Sequence, residues 1–499
     1  MAQKIFNAPS GMASQTLEVS RPKARMDFKR VSFIVLGLIV FLAAYYMPLL
    51  PDAVDSSGVR FPLTREGKGA IAAFLLAVIW WFFEVLPAGI TGLILGSIQV
   101  LFSLRGAKRV FSDYMDPAVV FVFASIVLGM TLTGTGLTRR AAYKILSIIG
   151  ENTLMIYGGT FFVIALLSHV MSNTSSAAAI FPLIWAIYSL YRREDAPTKF
   201  GKGMFMGMAF SAGAGSMFTL FSAPRAILST AIFKEVVNRD ISFAGYYKYM
   251  FLIGWLAIIA VWAFTVVFFR PKRKSLSGFG DKFKELYAEL GPLSRKEISA
   301  IIILITVVLL LTFGGAVLGN SDKAALILIS TVMIYIFRLM ELKHLEDVPW
   351  NIVLFFGGTM SIGYCLWDTG ASAWLAVRCL GIFANVHWFA FLILFAVAVF
   401  IVSNILTNAA AVVFMLPVGL VMSKYKGVTP EAVFFTISVA SAMPFLLIKG
   451  SAANAIAYES KQFTAREFFT KGIVMSVVLF LVLAAAIWII WPALGMHIH

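Results

Sequence analysis

Two long apolar segments of this chain, residues 155–190 and 387–422, are interrupted near the middle by a short run of polar side chains. The first run begins Ser168-His169-Val170-Met171-Ser172-Asn173-Thr174, and the second reads Ser403-Asn404-Ile405-Leu406-Thr407-Asn408. In each, a Ser precedes an Asn by five residues (173 − 168 and 408 − 403) and a Pro follows it by nine (182 − 173 and 417 − 408). An unpaired polar group in hydrocarbon costs several kcal/mol, roughly 4–8 on transfer to an alkane. Each run is therefore predicted to be the tip of a helix–break–helix hairpin facing water. Asn and Ser oxygens there suit a small hard cation, and the free N–H groups opening the second helix suit an anion. Helix packing through small polar residues is the competing explanation, and the repeated spacing argues against it.

The composition agrees with a membrane setting. Of 499 residues, 60% are hydrophobic and 13% charged, against about half and a quarter in soluble domains. A soluble enzyme is excluded, and at about 20 residues per crossing the chain has room for roughly a dozen. The net charge of +16, from 41 Lys+Arg and 25 Asp+Glu, belongs to cytoplasmic loops, so no nucleic-acid partner is expected. Cys365 and Cys379 form no CxxC, and the five histidines are scattered. No cofactor is predicted and no metal cluster. No convergent catalytic set occurs either, so the chain is not expected to be an enzyme. His169, beside Ser168 and Ser172, is read as lining the site.

The chain divides into a basic cytoplasmic N-terminal tail (1–30), a first span with an external loop (31–68), a first repeat (69–270), a cytoplasmic connector (271–297) carrying a surface helix near 281–290, and a second repeat (298–499). An all-α polytopic fold of about 11 spans is predicted, with hairpins at 155–190 and 387–422 re-entrant. The basic clusters, among them Arg139–Arg140 and Arg192–Arg193–Lys199–Lys202, then fall on the side of the N-terminus, which is placed in the cytoplasm of a cell with the chain in its inner membrane. Arg105, Lys108 and Arg109 fall on the opposite side and count against this topology. The tips are offset by 408 − 173 = 235 residues, and an odd number of crossings per repeat makes the repeats inverted. Inverted repeats with broken helices are the architecture of secondary transporters.

Each repeat has a second break, in segments 203–232 and 431–457. The first contains Gly213, Gly215, Phe221-Ser222-Ala223-Pro224-Arg225, and the second Pro444, Lys449-Gly450-Ser451 and Asn454. Arg225 and Lys449 thereby fall inside apolar segments, where a charge marks a functional site by default. A pair of cations facing one cavity would suit a substrate with two negative groups. Glu84 and Asp368 end spans and are read as structural.

These residues resemble the divalent anion/sodium symporter family, over about 70–500. Ser172-Asn173-Thr174 is similar to its SNT tip, with Pro182 where expected. Trp81…Glu84-Val85-Leu86-Pro87, Thr135-Gly136-Leu137-Thr138-Arg139-Arg140-Ala141, Val348-Pro349-Trp350, Leu354-Phe355-Phe356-Gly357-Gly358 and Arg466-Glu467-Phe468 resemble further family segments. The resemblance implies carriage of di- and tricarboxylates or sulfate. It also implies an elevator-type transport domain moving against a scaffold in a homodimer within the lipid bilayer. One sodium site would use Ser168, Ser172, Asn173 and the Phe221 backbone, the other Ser403, Asn408 and the Gly450 backbone. Substrate would contact Asn173, Thr174, Ser222, Asn408, Thr407 and Ser451.

The chain departs from that pattern at three places. Thr407-Asn408-Ala409 replaces the second SNT tip. Ser222-Ala223-Pro224-Arg225 stands where the family has T-P-P-N. Lys449 precedes Gly450, and Ala452–Ala453 replaces prolines. A fixed cation beside a sodium site repels sodium by roughly 4 kcal/mol at 4 Å and an effective dielectric of 20. Arg225 and Lys449 are therefore expected to replace sodium and touch the anion, giving anion exchange. Sodium symport of a dicarboxylate, sulfate or sulfonate, with Na+ as coupling ion, is the alternative.

Overall fold

The computed structural model describes residues 28–192, 197–318, 322–383 and 385–499, apart from the side chains of 316–318. The N-terminal tail to residue 27, and Arg193, lie outside the described residues. The first half contains α1 (Phe28–Tyr46), α2 (Arg65–Phe82), α3 (Ala88–Leu101), α4 (Ala107–Ser112), α5 (Pro117–Gly134), α6 (Leu137–Leu146), α7 (Thr153–Leu167), α8 (Asn173–Tyr191), α9 (Lys199–Gly215), α10 (Pro224–Val237) and α11 (Phe243–Phe268). The connector holds α12 (Phe279–Glu289), against the expected 281–290. The second half contains α13 (Arg295–Leu318), α14 (Lys323–Ile336), α15 (Trp350–Asp368), α16 (Ala371–Phe383), α17 (Trp388–Ile405), α18 (Asn408–Lys426), α19 (Pro430–Ala440), α20 (Ala452–Glu459), α21 (Ala465–Ala485) and α22 (Trp491–Ala493). A two-stranded ribbon, β1 (Ala53–Val54) and β2 (Arg60–Phe61), pairs antiparallel after α1.

Among the described residues, eight helices are long and apolar enough to cross a membrane, or nine if α15 and α16, bent by 70° at their junction, form one span. One candidate is the stretch Ala107–Gly134, which joins α4 to α5. Both arms of the second hairpin, α17 and α18, are candidates, as is α8. The count of 11 depends on these arms and on shorter apolar helices such as α3, α7, α14 and α19.

Long-range contacts sort the chain between two ends of the bundle. At the near end, where α1 starts, Arg30 Nε donates to the Val85 carbonyl (2.6 Å), and the Gly89 N–H donates to Asn351 Oδ1 (2.9 Å). Arg140 is paired with Glu297 (2.6 Å). The open ends of α7 and α8 also lie here: Thr153 bonds to the Arg273 and Lys274 carbonyls, and Arg273 donates to the Tyr191 carbonyl. At the far end, Lys323 pairs with Asp240 (2.6 Å) and Arg109 with Asp368 (3.0 Å). The open ends of α17 and α18 lie at this far end. Tyr425 donates to Asp55 (2.9 Å) and Lys426 to the Val386 carbonyl (3.1 Å). The span α4–α5 runs from far end to near end, whereas α15 runs from near to far.

Of the three basic residues that counted against the topology, Arg105 and Arg109 are matched by carboxylates. Arg105 bonds Asp113 (2.6 Å) and Asp368 (2.8 Å), and Arg109 shares Asp368. Arg105 also donates to the Ser361 carbonyl at 3.3 Å. The helix α3 lies against α15 so closely that a Cβ on Gly358 would fall 2.3 Å from the Gly92 Cα. Only glycine permits that approach, and it fixes the two helices backbone to backbone.

Candidate functional site

The polar residues of the tips begin helices. At the first, the Ser172 hydroxyl accepts the Ser175 N–H (3.2 Å) at the start of α8. At the second, the Thr407 hydroxyl accepts the Ala410 N–H (3.3 Å) at the start of α18. Such caps satisfy donors that a helix start leaves free. Each tip thus presents a helix N-terminus, with its partial positive charge, at the middle of an apolar hairpin. Asn173 and Asn408 are the first helical residues, followed by Thr174 and Ala409.

The first tip is stitched to the first break. Ser222, fully buried, donates to the Ser168 carbonyl (2.6 Å), and its own carbonyl accepts the Asn173 N–H (2.9 Å). Thr219 donates to the His169 carbonyl (2.9 Å). The three side chains assigned to the first sodium set are hydrogen-bonded within the tip. Ser168 Oγ faces Ser176 Oγ at 3.4 Å, Ser172 Oγ lies 2.9 Å from Ser175 Oγ, and Asn173 Oδ1 accepts the Thr174 N–H at 2.9 Å. Phe221 is buried and stacks on Phe121 at 5.6 Å. His169 bonds its own helix through Nδ1 to the Ala165 carbonyl (2.8 Å) and stacks on Phe218 at 4.0 Å, with Tyr247 and Trp255 around it. Its ring is thus packed among aromatics rather than aimed at Ser168 or Ser172.

One amide ties the second tip to the second break and another braces the break itself, and neither was assigned a role from the sequence. Asn404 donates to the Met443 carbonyl (3.2 Å) and accepts the Leu446 N–H (2.8 Å). Asn454 donates to the carbonyls of Pro444 (2.6 Å) and Leu447 (3.1 Å). An amide next to a helix break inside an apolar run was the available signal. Ser403 donates to the Phe400 carbonyl, Gly450 is buried against Pro444, and Ser451 caps α20 through the Ala453 N–H (3.3 Å). The amide oxygens of Asn408 and Asn454 are buried without a hydrogen-bond partner. Either bare carbonyl-type oxygen could serve as a ligand to an oxygen-seeking monovalent cation.

Arg225 is 2% exposed. One arm of its fork donates to the Ser438 carbonyl (3.0 Å), the other to the carbonyl and hydroxyl of Ser216 (2.9 and 2.7 Å). Ser216 caps the C-terminus of α9 and Ser438 lies in the last turn of α19. The guanidinium therefore sits at the negative ends of two half-helices, one from each half of the chain. Among the described residues no carboxylate pairs with it. Lys449 goes elsewhere. It is exposed, donates to the Phe82 carbonyl (2.8 Å), and lies 3.3 Å from the Phe82 ring centroid. The structure does not bring the two cations onto the same groups.

The family described as the sodium:sulfate symporter transmembrane region matches residues 32–497. A protein of Haemophilus influenzae described as an uncharacterized transporter is 23% identical over 444 residues, covering 86% of this chain and 93% of that one. A protein of Staphylococcus saprophyticus described as the sodium-dependent dicarboxylate transporter SdcS is 21% identical over 492 residues, 93% of each chain. Among solved structures, the fold is similar to the YdaH transporter of Alcanivorax borkumensis, with a TM-score of 0.55 at 14% identity, over 94% of this chain and 98% of that one. It is also similar to MtrF of Neisseria gonorrhoeae, with a TM-score of 0.57 at 12% identity, over 94% and 96%.

Proposed function

Because this chain belongs to the sodium:sulfate symporter family, we propose that it is a secondary transporter of small divalent organic anions, di- and tricarboxylates, working by anion exchange. The protein is a multi-pass membrane transporter and not an enzyme. In this reading the two halves are inverted repeats with re-entrant hairpins. The opposite courses of α5 and α15, and the hairpins opening at opposite ends, support it. The near end is cytoplasmic, the membrane is the inner one, two copies pair, and the tips and breaks move together as an elevator. The substrate lies between the tips, its carboxylates on the N-termini of α8 and α18 with Asn173, Thr174, Thr407, Asn408 and Ser451. Ser222, whose hydroxyl is spent on Ser168, holds the tip in place.

The observation that carries exchange is the position of Arg225. Helix C-termini carry partial negative charge, and a guanidinium that bonds both α9 and α19 supplies there a charge that cannot dissociate. It compensates part of the dianion's charge from within, without touching it. The hydrogen-bonded first sodium set agrees with this. Sodium symport is the second reading. The SdcS relatives are described as sodium-dependent dicarboxylate transporters, and the bare oxygens of Asn408 and Asn454 favour one cation in the second half.

Uptake of labelled succinate, citrate and sulfate into proteoliposomes decides between them. With exchange, uptake requires internal anion and proceeds without sodium. Uptake that requires external sodium and no internal anion would refute exchange and establish the second reading.

A further inference from the structure

Lys449 occupies the turn just ahead of Gly450 and Ser451, yet its ammonium rests on the end of α2. It donates to the Phe82 carbonyl at 2.8 Å and stands 3.3 Å from the centroid of the same residue's ring. The Glu84 carboxylate stands two residues beyond Phe82 in the same turn. A free carbonyl at a helix C-terminus is a natural seat for a cation.

The seat itself is held firmly. Glu84 has a φ of +50°, a left-handed conformation that a non-glycine residue keeps only when its surroundings impose it. The Val85 N–H reaches back to the Trp80 carbonyl (3.0 Å), and the Val85 carbonyl accepts Arg30 Nε (2.6 Å). Phe83 stacks on Phe33 of α1 at 3.7 Å. The turn at 82–85 thus belongs to a rigid α1–α2 unit. On the other side, the segment carrying Lys449 is bound to the second tip through Asn404 and braced internally by Asn454.

We propose that Lys449 is a positioning residue of the transport cycle: it moors the second helix break to the fixed end of α2, and the mooring must release and re-form in each turnover. This rests on the alternating-access reading above. A partly exposed hydrogen bond with a cation–π contact shifts a two-state equilibrium by about tenfold at most. That is enough to weight one state and little enough to be undone within a cycle.

The test is exchange of labelled against unlabelled succinate in proteoliposomes holding the parent, Lys449→Met, Lys449→Arg, Glu84→Gln and the Lys449→Met/Glu84→Gln double variant. The mooring predicts that Lys449→Met changes the maximal exchange rate by about three- to tenfold and the half-saturating concentration by less than about twofold. Lys449→Arg restores the parent rate. Glu84→Gln shifts it in the same direction as Lys449→Met but less, and the double variant matches Lys449→Met alone. Half-saturation that rises about tenfold in both Met and Arg variants would make Lys449 a substrate ligand and overturn the mooring. Rates unchanged in every variant would overturn it too. A parent that exchanges none of succinate, citrate and sulfate refutes the exchange reading instead, which separates the two failures.

Discussion

The carbonyl oxygen of Ser438 accepts a hydrogen bond from Arg225, 213 residues earlier in the chain, at 3.0 Å. One guanidinium thereby joins the two helix breaks, and three consequences for substitution follow from the way the breaks and tips are held, with a fourth from the packing of α3 on α15.

Replacing Arg225 by Gln strands the carbonyls of Ser216 and Ser438 in a buried site. The expected loss is about 2–4 kcal/mol, read as a lowered melting temperature in detergent. Arg225→Lys recovers only part of this, because one ammonium cannot span both carbonyls as the fork does. If charge at this position replaces sodium, Arg225→Asn makes residual succinate uptake respond to external sodium.

Ser222→Ala removes the hydroxyl that donates to Ser168 and accepts the Thr219 N–H (2.9 Å). About 1–3 kcal/mol of local stability should disappear. Hydrogen exchange at residues 168–174 checks this: protection there should fall while that at 403–408 stays as in the parent.

Any sodium effect should act through the second half of the chain. Asn408→Ala and Asn454→Ala remove the two unpartnered oxygens and should abolish sodium stimulation. Ser168→Ala and Ser172→Ala, whose hydroxyls are engaged in holding the first tip together, should leave its sodium dependence alone. The measurement is initial uptake against sodium concentration.

Gly358→Ala should be severely destabilising, because its Cβ would lie 2.3 Å from a backbone atom that no rotamer can move. A cost of about 3 kcal/mol or more is expected, seen as poor recovery of folded protein. Gly106→Ala is the control, since nothing lies within 4 Å of its added carbon.

Much of this site was legible in the sequence because lipid tolerates polar side chains only under constraint. Asn173 and Asn408, each with its Ser and Pro at matched distances, stood out on that ground alone. Arg225 was equally visible as a charge beside a break. What it bonds was not visible, because Ser438 lies in an ordinary apolar helix and nothing local links the two. Lys449 misled for the opposite reason. Like Arg225 it stands beside a break, yet its long flexible stem carries the charge out to α2. Asp113 and Asp116 went unassigned because nothing local marks them as part of a span. The structure continues the span back through them, with Asp113 on Arg105 and Asp116 accepting from Tyr364 at 3.1 Å.

The pairing of Arg105 bears on how such a chain is assembled. Asp113, eight residues on, is available as soon as the segment is made, and a paired charge costs less to bury than a lone one. Asp368 is made 368 − 105 = 263 residues later, after the whole first half is in the bilayer. The bond between them is thus a late event, in which one inserted half captures the other. Two halves of the polypeptide, synthesised as separate chains and divided in the connector, would carry the means to find each other.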